Sequence, residues 1–272
     1  MAHIPTVWNF NVSGDRISDN TTPEPASRFQ EMKNASEKLV SEIRNHLDGM
    51  VDPEYAASLP TIMPGMTEFT GVAVPELRKL AREIRRDKGL KIPDWIDYLG
   101  VAFPTCHREL ILVGLYGLDG RTSDLDDLFG ERMSGWARHL DNWETTDALA
   151  PAAGIWVADD LSRIGYLESW ANRGESVWKK RLAAVSTVYL SRHAAEHTHA
   201  SLRVLRHLME AKQPEIRKAV GWALRNQKDL EAVERFLAWW APRVSRSLIT
   251  EASEKLPEES RARLKVIVDE AG

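Results

Sequence analysis

From Ala26 to the end of the chain, apolar residues recur at three- and four-residue spacing almost without a break. Nowhere does a β-branched run alternate apolar and polar residues between hairpin turns. A chain with this one period must bury its stripes helix against helix, so the fold class is all-α. The spacing predicts helices over 26–48, 75–87, 104–118, 122–140, 143–159, 175–192, 198–211, 215–227, 229–240, 242–256 and 258–270. Pro75, Pro104, Ser123 and Pro242 suit first helical turns. Short helices joined by short loops, in pairs of roughly 35–45 residues, suggest stacked antiparallel helix pairs forming a HEAT-like, armadillo-type superhelical solenoid. A compact irregular bundle is the alternative. Residues 1–25 are polar and aperiodic, with SGD, SDN and TTPEPA, and read as a loosely ordered N-terminal arm before a single domain at 26–272.

Composition removes several classes of protein. With 43% hydrophobic and 28% charged residues, the chain is neither disordered nor membrane-spanning in character. No apolar run approaches the roughly 18–20 residues of a membrane span. The start MAHIPTVWNFNVSGD lacks a basic n-region and an apolar h-region, so a cytoplasmic location is expected. The single cysteine, Cys106, can form no internal disulfide and supplies no zinc cluster. Charge is unevenly spread. Residues 161–228 carry thirteen Lys or Arg against five acids, a net +8, which leaves −12 for the rest of a chain whose net charge is −4. A basic face on an acidic body is the electrostatic footprint of a polyanion partner, with chance clustering on solvated helices as the alternative.

Helical rotation of about 100° per residue sorts side chains by face. In 215–227 the stripe Ile216, Ala219, Val220, Ala223 and Leu224 is continuous, and Trp222 lies roughly 130° from its centre between Lys218 and Arg225. Such an indole either stacks on something anionic or is covered by a neighbouring helix. In 143–159 the buried face is Leu149, Ala152, Ala153 and Trp156. Trp143 and Asp147 share the opposite face one turn apart, and Ala150 and Gly154 continue the row, keeping the surface low enough for a bulky ligand to approach. An aromatic plate beside a carboxylate suits a cationic ligand; an acid stabilised by the helix dipole is the alternative. In 175–192 the stripe is Trp178, Leu182, Val185 and Tyr189, with Arg181 on its flank, placed for a structural ion pair or a phosphate.

His193-Ala194-Ala195-Glu196-His197 fits the H-x-x-E-H zinc signature but straddles an expected helix junction, so surface histidines are the preferred reading and no metal is expected. P-loop, G-x-G-x-x-G and G-x-S-x-G motifs are absent from the sequence, leaving nucleotide-dependent and acyl-enzyme chemistry without a signal.

NWETTD at 142–147, WKKRLAAVS at 178–186 and IRKAVGWALRN at 216–226 resemble the bacterial DNA alkylation-repair glycosylases of the AlkD type. FTGVAVPELRKLA (69–81) and HRELILVGL (107–115) also fit that family's repeats, so the likeness spans roughly 50–230 in order and spacing. The resemblance implies HEAT-like repeats whose concave, positively charged face cradles alkylated double-stranded DNA. It implies metal-free and cofactor-free hydrolysis of the N-glycosidic bond of cationic N3- or N7-alkylpurines such as 3-methyladenine and 7-methylguanine, with bulky adducts tolerated. Carried over by position, the catalytic residues are Asp147, Trp143, Trp222 and Arg181. Lys179, Lys180, Lys218 and Arg225 are the expected DNA contacts, and a monomer without an obligate protein partner is expected. Glu144 and Lys180 stand where family members often carry Asp and Arg, and both keep their charge. The acidic whole-chain balance also departs from the family, and the 1–25 arm has no usable counterpart in it. The competing reading is a non-catalytic helical-repeat scaffold, which has no need of an acid aimed at a polyanion.

Overall fold

The computed structural model describes residues 25–271 except residue 124, with side chains from residue 30 onward. The 1–25 arm, apart from Pro25, lies outside the described residues. Among them are fourteen α-helices: α1 (Pro25–Asp48), α2 (Pro53–Ile62), α3 (Val74–Lys88), α4 (Ile92–Ala102), α5 (Arg108–Leu118), α6 (Leu128–Trp136), α7 (Trp143–Asp159), α8 (Ile164–Trp170), α9 (Val177–His193), α10 (Thr198–Leu205), α11 (Pro214–Arg225), α12 (Leu230–Trp240), α13 (Arg246–Ala252) and α14 (Glu258–Ala271). Extended pairing among the described residues is limited to one isolated bridge, Glu68 with His107. No helix among them is long and apolar enough to cross a membrane.

The helices form two layers. In one, α3, α5, α7, α9, α11 and α13 pack side by side in that order; behind it run α1, α4, α6, α8, α10, α12 and α14. This is an all-α helical-repeat architecture: the period of the sequence requires the helices, and their stacking decides for repeats over an irregular bundle. Between the layers lies one apolar core, in which Trp95, Phe103, Trp156 and Trp170 are buried. Local signals set the starts of the helices that matter most. Asn142 caps α7 by accepting from the Glu144 and Thr145 N–H groups, each at 3.0 Å; Ser176 caps α9 from Lys179 N–H at 3.2 Å; Pro214 opens α11.

Sequence periodicity missed α2, α4 and α8. The first is short and interrupted by Pro60. The second buries residues on several sides, so no single stripe marks it. Other expected helices are shorter than their patterns. The 104–118 pattern divides because Cys106 adopts a left-handed φ of 53°, ending a 3-10 turn at Phe103–Thr105 before α5 begins. The 122–140 pattern contracts to α6 followed by a 3-10 turn at Ala137–His139. The H-x-x-E-H segment does cross a junction: α9 stops at His193, and Ala195–His197 is a separate 3-10 turn.

Two face assignments need correction. Ala150 and Gly154 do not continue an open row beside Asp147, because both are buried. A Cβ on Gly154 would sit 2.3 Å from the Ser186 carbonyl oxygen and 2.7 Å from the Tyr189 Cβ, so this glycine lets α7 and α9 touch backbone to backbone. The α9 stripe also fails as drawn. With α7 and α11 on its flanks and α8 and α10 behind it, α9 is buried over most of its circumference, while Trp178 and Tyr189 are only half-buried.

Candidate active site

Three helices of the first layer present α7, α9 and α11 side chains to one cleft of about 760 Å³. Trp143 and Asp147 come from α7, Trp178 and Arg181 from α9, and Lys218 and Trp222 from α11, with Glu251 of α13 on the far wall. The Leu149–Trp156 and Ile216–Leu224 stripes that periodicity assigned to the core are buried, which turns the opposite faces of α7 and α11 toward this cleft.

At the centre, Arg181 clamps Asp147. Its Nε donates to Oδ1 at 2.8 Å and its Nη2 to Oδ2 at 2.6 Å, while Nη1 donates to the Glu215 carbonyl at 2.9 Å. The arginine side chain is 12% exposed and the aspartate side chain 30%. A carboxylate offers about four lone-pair directions. Arg181 takes two, so the exposed part of Asp147 keeps accepting capacity toward the cleft. Burial pushes the Asp147 carboxyl above its usual range; the Arg181 hydrogen bonds and charge oppose that push without cancelling it. Pro151, inside α7, has no N–H to offer the Asp147 carbonyl, so the helical ladder skips a bond at the acid itself.

Trp143 is 38% exposed, with its Nε1–H toward the Ile62 carbonyl at 3.4 Å. Trp222 is half-buried: its inner edge packs on the core and the remainder lines the cleft, so both sequence-level alternatives for it are partly right.

The first turn of α7 is anchored from behind. Arg108, fully buried, donates to both Glu144 carboxylate oxygens, to the Val72 carbonyl at 3.0 Å and to Glu109 at 2.8 Å. Glu109 in turn accepts from the Thr70 and Gly71 N–H groups at 2.9 and 2.8 Å. Burial alone would raise the Glu109 pKa, but these backbone donors and Arg108 outweigh it and hold the carboxyl below its ordinary range. Gly71 has a φ of 95°, and a Cβ there would lie 2.4 Å from the Ala56 Cβ, so the loop can reach Glu109 only with glycine at this point.

The remaining expected contacts are dispersed. Lys218 lines the cleft without an ion-pair partner among the described residues. Lys179 pairs with Glu175 at 2.8 Å, Lys180 donates to the Arg173 carbonyl at 2.8 Å and Arg225 pairs with Glu254 at 2.6 Å, all outside the cleft lining. Among the cleft residues that the sequence does not mark are Trp178 and Glu251. Trp178 was assigned to a core stripe. Glu251 carried no signal of its own, although Gly221 was a clue: a Cβ there would lie 2.7 Å from the Glu251 carboxylate, so the glycine makes room for it.

Two layers of helix pairs around a cleft of indoles and an arginine-held acid define a helical-repeat protein with an enzyme-like site. The chain belongs to the DNA alkylation repair enzyme family, whose model matches residues 43–256. That makes it an enzyme of DNA repair, with DNA as its partner. A solved structure described as a predicted DNA alkylation repair enzyme from Enterococcus faecalis shares the fold, with a TM-score of 0.65 and 18% identity over 77% of this chain and 98% of that one. Comparison with curated protein sequences finds no match.

Proposed function

We propose that this protein is a DNA glycosylase that hydrolyses the N-glycosidic bond of cationic N3- and N7-alkylated purines in duplex DNA, with Asp147 as the acting carboxylate. The observation that carries the reading is an acid clamped by a largely buried arginine in a cleft of about 760 Å³ that two indoles, Trp143 and Trp222, also line.

Alkylation at N3 or N7 gives the purine a positive charge, so the base leaves without protonation. The enzyme then has to stabilise the positive charge that develops on the sugar and to place a water. Asp147 does the first electrostatically and the second through a lone pair that Arg181 leaves free. Arg181 acts through Asp147 as a positioning residue. Trp143 and Trp222 flank the deoxyribose, and their ring faces favour the cation. The Glu251 carboxylate, which lines the same cleft, adds a negative charge without an ion-pair partner among the described residues, which favours cationic bases over neutral ones. No metal or cofactor takes part in this scheme, and one copy of the chain suffices for it. Residues 26–272 act as the catalytic domain, and a cytoplasmic location gives it access to the nucleoid.

The scaffold reading draws on one observation, the engagement of both Asp147 oxygens by Arg181, which is also how a structural ion pair looks. Incubation with methylated duplex DNA and chromatography of the released bases separates the two. Release of 3-methyladenine or 7-methylguanine supports the glycosylase; intact bases on bound DNA support the scaffold.

A further inference from the structure

The Arg108 side chain is fully buried, and every N–H of its guanidinium has an acceptor. Nε and Nη2 donate to the two carboxylate oxygens of Glu144, the second at 3.1 Å. Nη2 also donates to the Tyr55 hydroxyl at 2.9 Å, and Nη1 to the Val72 carbonyl at 3.0 Å and to Glu109 at 2.8 Å. One residue of α5 thereby ties α2, the loop before α3 and the first turn of α7 to a single point. Stability alone does not account for such a cluster. Taking an arginine and two carboxylates out of water is costly, and well-packed apolar residues in the same space are often as stable or more so. What an apolar cluster lacks is direction. A guanidinium fork meets a carboxylate in one plane, so it fixes the orientation of the chain that carries the acid.

Orientation matters in α7. Glu144 follows Trp143 directly and precedes Asp147 by three residues, so it shares the opening turns of the helix with both. Pro151 removes the hydrogen bond that the Asp147 carbonyl would accept, which weakens the helix just beyond the acid. On the far side of that gap, α7 is seated on α9 at Gly154. On the near side, the Asn142 cap fixes where the helix starts but not how its first turn tilts. Asp147 is tied to α9 through Arg181, whereas Trp143 reaches the Ile62 carbonyl at 3.4 Å, a long contact. The restraint that sets Trp143 relative to Asp147 is the Arg108–Glu144 fork.

We propose that Arg108 is a positioning residue for the reaction, which through Glu144 sets the angle at which the first turn of α7 presents Trp143 and Asp147 to the sugar. The proposal rests on the glycosylase reading of the cleft. Arg108 touches neither the lesion nor the attacking water, so its effect falls on the rate of bond breaking and not on the hold on DNA. Misplacing a reacting group by about 1 Å costs about 10²-fold in rate.

The test compares Glu144→Gln and Arg108→Lys with wild type. Neither leaves a buried charge uncompensated: the first keeps Arg108 beside Glu109, and the second keeps a cation between two carboxylates while removing the planar fork. Arg163→Gln is the control, because Arg163 anchors the other end of α7 by donating to the Trp156 carbonyl at 3.1 Å and pairing with Asp127 at 3.1 Å. Single-turnover release of 7-methylguanine is measured at saturating protein, with affinity for unmodified duplex and thermal melting in parallel. Both variants should lose about ten- to a hundredfold in the saturating rate. Affinity should be unchanged in Arg108→Lys and unchanged or higher in Glu144→Gln, and the control should melt earlier yet release base at the wild-type rate. Either variant decides if it folds. A wild-type rate, a loss no greater than the control's, or a loss that saturating protein restores overturns the proposal. Failure of both variants to fold beside a folded control also overturns it, because the network is then part of the fold alone. No release by wild type removes the glycosylase reading and the proposal together.

Discussion

Asp147→Asn separates chemistry from architecture at the point where the two meet. The amide keeps one acceptor for Arg181 but turns an NH2 toward the second guanidinium N–H, so one of the bonds at 2.8 and 2.6 Å is lost and the other loses its charge. Hydrogen bonds to charged groups contribute about 1.5–3 kcal/mol. The aspartate side chain is 30% exposed and Arg181 retains the Glu215 carbonyl, which brings the expected cost toward about 1–2 kcal/mol. In a chain of this size that lowers Tm by several degrees, at about 2–4 °C per kcal/mol, and leaves the protein folded at 25 °C. Base release should fall much further. Removing a preorganised electrostatic group costs about 3–4 kcal/mol of transition-state stabilisation, or 10²–10³ in rate. Affinity for unmodified duplex should hold or rise by roughly twofold, since relieving a unit repulsion at about 8 Å in water is worth about 0.5 kcal/mol. The assay is single-turnover release from a duplex carrying one 7-methylguanine, with anisotropy binding and thermal melting in parallel. Wild-type release rates in the folded variant would refute a catalytic role for Asp147.

Because burial raises the Asp147 carboxyl above its ordinary value of about 3.9, the ionised form is lost as pH falls through a midpoint above that value, and the acid limb of single-turnover release should fall there. Arg181→Gln removes the group that opposes the rise, so that limb should move to higher pH; an unmoved limb means another group titrates. Trp222→Ala should reduce base release while costing less stability than Trp156→Ala, a fully buried indole whose truncation costs about 3–5 kcal/mol. Equal melting losses, with full activity in Trp222→Ala, would make Trp222 a core residue. Glu251→Gln should lower release of 7-methylguanine severalfold while affinity for unmodified duplex holds or rises, as for Asp147→Asn; unchanged release would remove Glu251 from lesion selection.

Much of this was legible from one period. The stripe of α11 came out correctly because that helix has one covered side and one open side, whereas α7 is open only around Trp143 and Asp147 and is covered further along the same row at Ala150 and Gly154. The same arithmetic misread α9, which is covered on most sides and whose pattern therefore carries no single direction. Trp178 was hidden for that reason. Glu251 was hidden for another: it lies on α13, a seven-residue helix whose place beside α11 is set by the stacking of repeats and has no local signature. The charge excess in 161–228 was real but incomplete as a guide, because a sequence count does not distinguish Arg203, already paired with Glu168, from Lys218, which has no ion-pair partner among the described residues.

The seam at Gly154 has a mechanical consequence. Stacked repeats bend at the interfaces between neighbours, and an elongated ligand such as a duplex loads every interface at once. Where the α7 and α9 backbones meet at Gly154, no side chain lies between them to change rotamer and let the two helices slide. Bending is left to the junctions on either side, where side chains fill the space. The acid on one helix and the arginine on the other then travel as one body, while the outer repeats follow the local curvature of the DNA. Stiffness where the acid meets the arginine and compliance in the outer repeats are thus assigned to different seams of the same stack.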